Sequence, residues 1–517
     1  MIPIARPAVG VIVLWAALAS ACAARVVPNL SAAPEPGAAA EPRPAAPSGA
    51  IRGLQQNLAQ VFSAPIMARA VWAVDVRSLA TGERLFELNA GKLMMPASNM
   101  KVVTLAAAAE RLGWDHRFTT VLETASPVEN GVLRGDLILR GSGDPTINSR
   151  EDRARAIFDA WIGILRSAGI RKIDGRIVGD DQAFDDEGLG DGWSWDYLQY
   201  GYAAPVGALQ YNENVARLTV APGARVGDPA IVQLPPGTGL ILVNRASTSG
   251  EEAREAIEYR RELFTPVLEI SGSIPVGGEA VPRNVSVVNP TIYLAQAFRD
   301  ALVQAGIPVA GEAVDLDDVA AEWTVVSDPR RCLGATESAP LREIATVLMK
   351  SSQNLYAETL VKALGASGGG IGTTAGGRQI MQDILTAWGV PPDAYAIFDG
   401  SGLSRYNYVS AGMIAAILQR MHQDPRHREE FAATLPIAGR DGTISTRMRR
   451  TLAEGNALAK TGSIANVRSL SGYVRSRDGE PLVFSIIAND FVIPAATVNW
   501  IADLAVEILA AFSREPF

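Results

Sequence analysis

From residue 51 onward the hydrophobic and polar positions fall into two textures. VWAVDVRS (71–78) and RLFELNA (84–90) alternate with period two around Ala80-Thr81-Gly82-Glu83, which predicts a β-hairpin. A short helix, GLQQNLAQVF, precedes it. The alanine-rich run VVTLAAAAERL follows PASNMK (96–101) and predicts a helix ending near Leu112 and Gly113. From about 118 to 328 short alternating strands dominate, such as FTTVLE, GDLILRG, KIDGRIVGD, ARLTVAPG and NVSVVN. Two helices interrupt them, REDRARAIFDAWIGILRSAG and TIYLAQAFRDALVQAG. After about 329 helices return in LREIATVLMKSSQNLYAETLVKALG, broken near Ser351-Ser352, then in ILTAWG and SAGMIAAILQRMHQ. Strands follow in ALAKTGSI, RSLSGYVRS and LVFSIIAN, and a helix, TVNWIADLAVEILAAFS, closes the chain. A hairpin and helix at one end, with strands and a helix at the other, predict one sheet built from both ends. The middle is then an insertion. The glycine-rich run 365–377 lacks a Gly-Lys-Ser/Thr ending and follows a helix, so it reads as a flexible loop and not a phosphate loop.

Length changes this picture only by asking for more than one core. At 517 residues two or three domains are expected. A hydrophobic share of 48% and a charged share of 20% describe a globular protein. The net charge of -8, with no basic stripe, gives no footprint for nucleic acid. Residues 1–23 read as a signal peptide: Arg6 precedes VGVIVLWAALASA, an apolar run too short to span a bilayer. Two cleavage readings stay open, a lipoprotein cut before Cys22 and an ordinary cut around Ala21-Cys22-Ala23. Residues 24–50, rich in Ala and Pro, read as a disordered tether. The expected location is the periplasm or cell envelope, either soluble or lipid-anchored through Cys22. Cys332 is the other cysteine, and a free thiol without function is its plain reading.

The chemistry narrows by elimination. The three histidines, His116, His422 and His427, form no H-E-x-x-H, and no serine stands in G-x-S-x-G. A serine enzyme here would draw its base from lysine. Ser98 and Lys101, three apart at a helix start, share one face. A helix N-terminus also offers free N–H groups, and a desolvated lysine loses its proton more easily. Alternatively Ser98 is a helix cap and Lys101 a surface charge. Ser352-Gln353-Asn354 places a hydroxyl and an amide two apart at a helix break, where they could face a cleft or serve only as a cap. Lys460-Thr461-Gly462-Ser463 lies in a predicted strand. There Gly462 would admit close approach of another backbone, or else simply end the strand in a turn.

The three elements stand in the order S-x-x-K, S-x-N, K-T-G, with 254 positions from Ser98 to Ser352. In this the chain resembles the penicillin-binding proteins and serine β-lactamases. The long gap is similar to that of the class C low-molecular-mass penicillin-binding proteins, D-alanyl-D-alanine carboxypeptidases and endopeptidases. GSGDPTI (141–147), GWSWDYL (192–198) with APVGALQYNEN, DGSGLSRYN (399–407) and LPIAGRDGT (435–443) also resemble segments of that family. The resemblance implies an α/β (α+β) multi-domain fold. Its penicillin-binding catalytic domain, an antiparallel sheet flanked by helices, would be split by a β-rich insertion of two smaller domains. The expected boundaries are 51–117 and 329–517 for the catalytic domain and 118–328 for the insertion, with a nested domain near 213–289.

The same resemblance implies the roles. Ser98 is the nucleophile, Lys101 its base, Ser352 the proton relay helped by Lys460, and Asn354 a substrate-positioning group. Backbone N–H groups of Ser98 and Ser463 form the oxyanion hole; Thr461, Gly462 and Ser463 hold the terminal carboxylate. Asp180 and Arg405 fall where the family shapes a pocket for the stem peptide's diamino acid. Ala465 is smaller than the polar residue often found there. The implied substrates are peptidoglycan stem peptides and cross-links, with β-lactams as covalent inhibitors and no metal or cofactor. A serine β-lactamase and a non-catalytic cell-wall assembly protein retaining the fold are the alternatives.

Overall fold

The computed structural model describes residues 49–263, 265–323 and 329–515. The expected signal peptide and nearly all of the expected tether lie outside the described residues. Among the described residues no helix is long and apolar enough to cross a membrane.

The first and last parts of the chain share one sheet. Strands β1 (Val71–Ser78) and β2 (Arg84–Leu88) form the predicted hairpin. They join β3 (Leu458–Ile464), β4 (Val467–Arg475) and β5 (Pro481–Asn489) in the order β2-β1-β5-β4-β3, all antiparallel. Period-two alternation here divides two apolar faces, not an apolar and a polar one. Trp72, Val74 and Val76 turn to one face, against helix α1 (Gly49–Phe62) and the C-terminal helix Ala495–Ala511. Ala73 turns to the other face, where a second core gathers α2 (Met100–Leu112), α3 (Leu341–Lys350) and α4 (Asn354–Ala366). Each buried large side chain contributes about 1.5–3 kcal/mol, which favours apolar residues on both faces of such a strand. Asp75 of β1 is buried on one of these faces, and Arg77 and Arg84 neutralise it.

Helix α2 is buried on every side from Met100 to Ala109, as its alanine run allows. Its end is as read from the sequence: Gly113 takes φ +82° after Leu112. The break in the later helix is also real, and Ser352 sits in it with φ +57°.

Residues between α2 and α3 build other cores. One five-stranded sheet orders Ala313–Asp315, Ile177–Asp180, Leu137–Arg140, Thr119–Thr124 and Arg331–Glu337. Helices Arg153–Ser167 and Pro290–Gln304 cover it through Phe158, Trp161 and Phe298. Small sheets containing Val215–Ala221, Glu258–Arg261 and Val281–Ser286 enclose a separate core around Leu218, Leu268 and Ile270.

Two expectations change. The α-helix expected from Arg150 begins at Arg153, because Glu151 and Asp152 take φ +52° and +56° in a preceding turn. The glycine-rich run is not one loop: α4 includes Gly365, and another helix, Thr374–Ala387, includes Gly377. A Cβ on Gly377 would lie 2.0 Å from the carbonyl oxygen of Val361, so the glycine permits close helix contact. Thr373 caps that helix by accepting from Gly376 N–H at 2.9 Å.

Candidate active site

The turn Ala97–Asn99 leads directly into α2 and carries Ser98. Pro96 and Asn99 hold the cap positions and the Ser98 hydroxyl is bonded to Lys101 instead, which removes the capping reading. Its hydroxyl lies 3.0 Å from Lys101 Nζ, one turn along the helix. Lys101 is wholly buried and also meets Asn354 Oδ1 at 2.6 Å and the Ser401 carbonyl at 2.7 Å. Asn354 donates through Nδ2 to the Tyr202 carbonyl at 2.7 Å, so its Oδ1 is the atom facing Lys101.

These partners fix what a neutral Lys101 does. An uncharged amine has two N–H donors and one lone pair. The amide oxygen and the carbonyl can only accept, so they take both donors. The lone pair is left for the hydroxyl of Ser98. Burial pushes the lysine down to about 7, against the upward pull of Asp399 and Glu358. The neutral amine is therefore well populated near neutral pH.

A second buried lysine stands on edge strand β3. Lys460 Nζ reaches Ser352 Oγ at 2.8 Å and the Thr461 carbonyl at 2.8 Å. Burial, reinforced by the charge on Lys101, holds it well below the ordinary lysine value. Thus S-x-N and K-T-G, 108 positions apart, meet through one hydrogen bond.

Glycines allow the close approach. A Cβ on Gly462 would lie 2.1 Å from Ser469 Oγ, 2.7 Å from the Pro96 carbonyl and 2.9 Å from Ser98 N. Gly402 has φ +83°, and its Cβ would lie 1.8 Å from the Ala97 carbonyl. Both neighbours hold the Ser98 turn. Ser469 Oγ donates to Pro96 O at 2.7 Å, and Asn99 Nδ2 donates to Ser471 Oγ at 2.7 Å. Gly462→Ala is expected to slow Ser98 acylation at least about tenfold, since Ser469 must swing away or the turn must shift. Stopped-flow acylation alongside a thermal melt checks this; an unchanged rate would mean that the turn does not depend on the close approach.

Three residues to which sequence reasoning assigned no role support this cluster: Glu358, Asp399 and Thr443. Glu358, one turn beyond Asn354, accepts from Gly400 N–H at 3.0 Å and Ser401 N–H at 2.8 Å. Burial beside Asp399 raises it to about 7. Asp399 accepts from the N–H groups of Gly402 at 2.7 Å and Ser404 at 2.6 Å, and from Trp193 Nε1 at 2.8 Å. Together the two acids shape the Ser401–Ser404 loop and aim the Ser401 carbonyl at Lys101. Thr443 pairs its hydroxyl with that of Thr461 at 2.7 Å. Asp399 opens the family-like segment DGSGLSRYN, and its Asp-Gly-Ser-Gly start carries turn chemistry.

The resulting cleft encloses about 490 Å³. Ser98, Ser352, Asn354, Thr461 and Ser463 lie along it, with Tyr197, Tyr202, Leu403 and Arg468 as walls. Gly462 stays behind the strand, against the Ser98 turn. Arg405 does not line the cleft; its backbone N–H donates to the Gly192 carbonyl at 3.2 Å, beside the GWSWDYL segment.

Asp180 is not brought to the cleft either. It ends the buried strand Ile177–Asp180 and ion-pairs with Arg330. Its acid-rich stretch is spent on structure: Asp181 accepts from Thr291, and Asp185 ion-pairs with buried Lys362 of α4. Cys332 is an exposed free thiol on Arg331–Glu337.

The sequence matches the D-Ala-D-Ala carboxypeptidase 3 (S13) family over residues 54–510. The chain belongs to that family. The D-alanyl-D-alanine carboxypeptidase of Actinomadura sp. (strain R39) is 35% identical over 470 residues, covering 88% of this chain and 85% of that one. The D-alanyl-D-alanine carboxypeptidase DacB of Haemophilus influenzae is 26% identical over 433 residues, covering 80% of this chain and 84% of that protein. The crystal structure of penicillin binding protein 4 (dacB) from Haemophilus influenzae superposes with a TM-score of 0.75 at 23% identity. It covers 88% of this chain and 100% of that one, and it shows the shared fold. The resemblance read from the three motifs is thus borne out, and so is the fold class. As an S13 family member the chain is a serine-type D-Ala-D-Ala carboxypeptidase, a hydrolase.

Proposed function

We propose that Ser98 is the nucleophile of this carboxypeptidase and that Lys101, neutral through burial, is its base. One observation carries the assignment. Two pure acceptors occupy the donors of Lys101, and its third contact is Ser98 Oγ at 3.0 Å. Lys101 takes the hydroxyl proton as Ser98 attacks the carbonyl of the penultimate D-alanine. The edge position of β3 leaves backbone groups unpaired for an extended peptide. The N–H groups of Ser98 and Ser463 receive the oxyanion, where losing one donor typically costs about 10²–10³ in rate. Thr461, Thr443 and Ser463 hold the terminal carboxylate. Ser352, bonded to Lys460, passes a proton to the departing amine. Asn354 orients both Lys101 and substrate, and water then frees the acyl group.

The substrate is the D-Ala-D-Ala end of a peptidoglycan stem peptide, and β-lactams acylate the same hydroxyl. A leaving D-alanine gives carboxypeptidase action; a leaving diamino acid of a cross-link gives endopeptidase action. Such a substrate sets the enzyme in the cell envelope. Residues 118–328 act as an inserted unit that walls the cleft through Tyr197 and Tyr202. The test is incubation with a pentapeptide ending in D-Ala-D-Ala and, separately, with benzylpenicillin. The reading expects released D-alanine and a penicilloyl adduct that persists for minutes or longer. Turnover of the adduct within seconds would instead favour a β-lactamase.

A further inference from the structure

A second groove, about 730 Å³, opens on the far side of the Ser352-Gln353-Asn354 turn. It is continuous with the catalytic cleft, since Tyr202, Ser352 and Asn354 line both. The groove has a built wall. Tyr200 stacks on Tyr202 with ring centres 5.4 Å apart, and Tyr259 meets Tyr200 edge-on at 5.7 Å. Tyr259 is fixed by its hydroxyl, which donates to the Asn284 carbonyl at 3.0 Å. Glu213 is already engaged, by Arg150 at 2.6 Å and by Gln353 Nε2 at 2.6 Å, which ties the groove to the catalytic turn. Arg217, on strand Val215–Ala221, is exposed on the groove and has no ion-pair partner among the described residues. The uncompensated charge of the groove is therefore positive.

We propose that this groove binds the second stem peptide of a cross-linked substrate, the part attached to the leaving amine. The inference rests on the proposed function, and in particular on Ser352 as proton donor to that amine. A chain leaving past Ser352 enters the groove directly. Stem peptides carry free carboxylates, which suit Arg217, and short aliphatic side chains, which suit the tyrosine faces. A lone D-alanine would not need a groove of this size. The groove then favours endopeptidase over carboxypeptidase action, through binding and not through chemistry.

The test compares kcat/KM for a cross-linked disaccharide-peptide dimer with that for the uncross-linked disaccharide pentapeptide, using the full chain. The acyl-donor halves are alike, so the ratio isolates what the leaving half contributes. Arg217→Glu is expected to lower the dimer-to-pentapeptide ratio about five- to tenfold, mainly through KM, with Arg217→Lys keeping most of it. Raising salt should shrink the difference. An unchanged ratio overturns the proposal, as does a wild-type enzyme that cleaves the pentapeptide but not the dimer. Selective inhibition of dimer cleavage by peptide-free glycan strands also overturns it, in favour of a glycan groove. A wild-type enzyme that acts on neither substrate and takes no β-lactam overturns the functional reading itself.

Discussion

Alanine in place of Ser98 abolishes both the β-lactam adduct and peptide hydrolysis, while the chain still folds. The hydroxyl caps no helix, and its contact with Lys101 is not needed to hold the turn. Pro96 is anchored by Ser469, and Asn99 by Ser471. The cleft that receives the β-lactam therefore survives. Non-covalent binding remains measurable by titration, whereas intact-mass analysis shows no added penicilloyl group. Loss of a serine nucleophile typically lowers kcat by roughly 10⁶-fold. A Ser98→Ala enzyme that still formed an adduct would place the nucleophile elsewhere.

Methionine in place of Lys101 lowers the rate of Ser98 acylation by roughly 10²–10⁴-fold, the usual contribution of a positioned base. Methionine fills the space of the lysine stem within the packed α2 core, so the fold survives. Asn354 Oδ1 and the Ser401 carbonyl lose a donor, which costs about 1–3 kcal/mol for each group left unpaired. The decisive readout is a split between steps. Acylation falls steeply, while the dissociation constant for the unreacted β-lactam changes little. A large loss of affinity with normal acylation of the bound complex would make Lys101 a binding residue instead. Burial of this lysine also links it to stability. The unfolded chain binds a proton that the folded chain resists. The fold therefore gains stability as pH rises from about 7 toward the ordinary lysine value of 10.5, and loses it as pH falls through that range.

Part of the site is local, and that part is legible in the sequence. Ser98 and Lys101 lie one turn apart, so helical periodicity alone makes them neighbours. The hairpin at β1 and β2, the end of α2 at Gly113 and the break at Ser352 follow equally local rules of alternation and turn chemistry. The rest depends on contacts distant in sequence. Nothing near Lys460 indicates that Ser352 will be its partner; the sheet and the break between α3 and α4 decide that. Glu358 and Asp399 read as ordinary helix and loop acids until burial beside Lys101 gives them a role. Asp180 misled because charge alone does not say which acid an arginine will neutralise, and Arg330 lies 150 positions away. The glycine run misled for a related reason. Glycine marks both flexible loops and tight helix contacts, and only the position of Val361 distinguishes them.

The central claim is that a neutral, buried Lys101 activates Ser98. The most direct test is the pH dependence of Ser98 acylation by benzylpenicillin, which has no group titrating between pH 5 and 9. The account predicts a rate that rises about tenfold per pH unit below an apparent pKa of about 7 and is level above it. A rate that is flat across this range, or that falls as pH rises through 7, would contradict it.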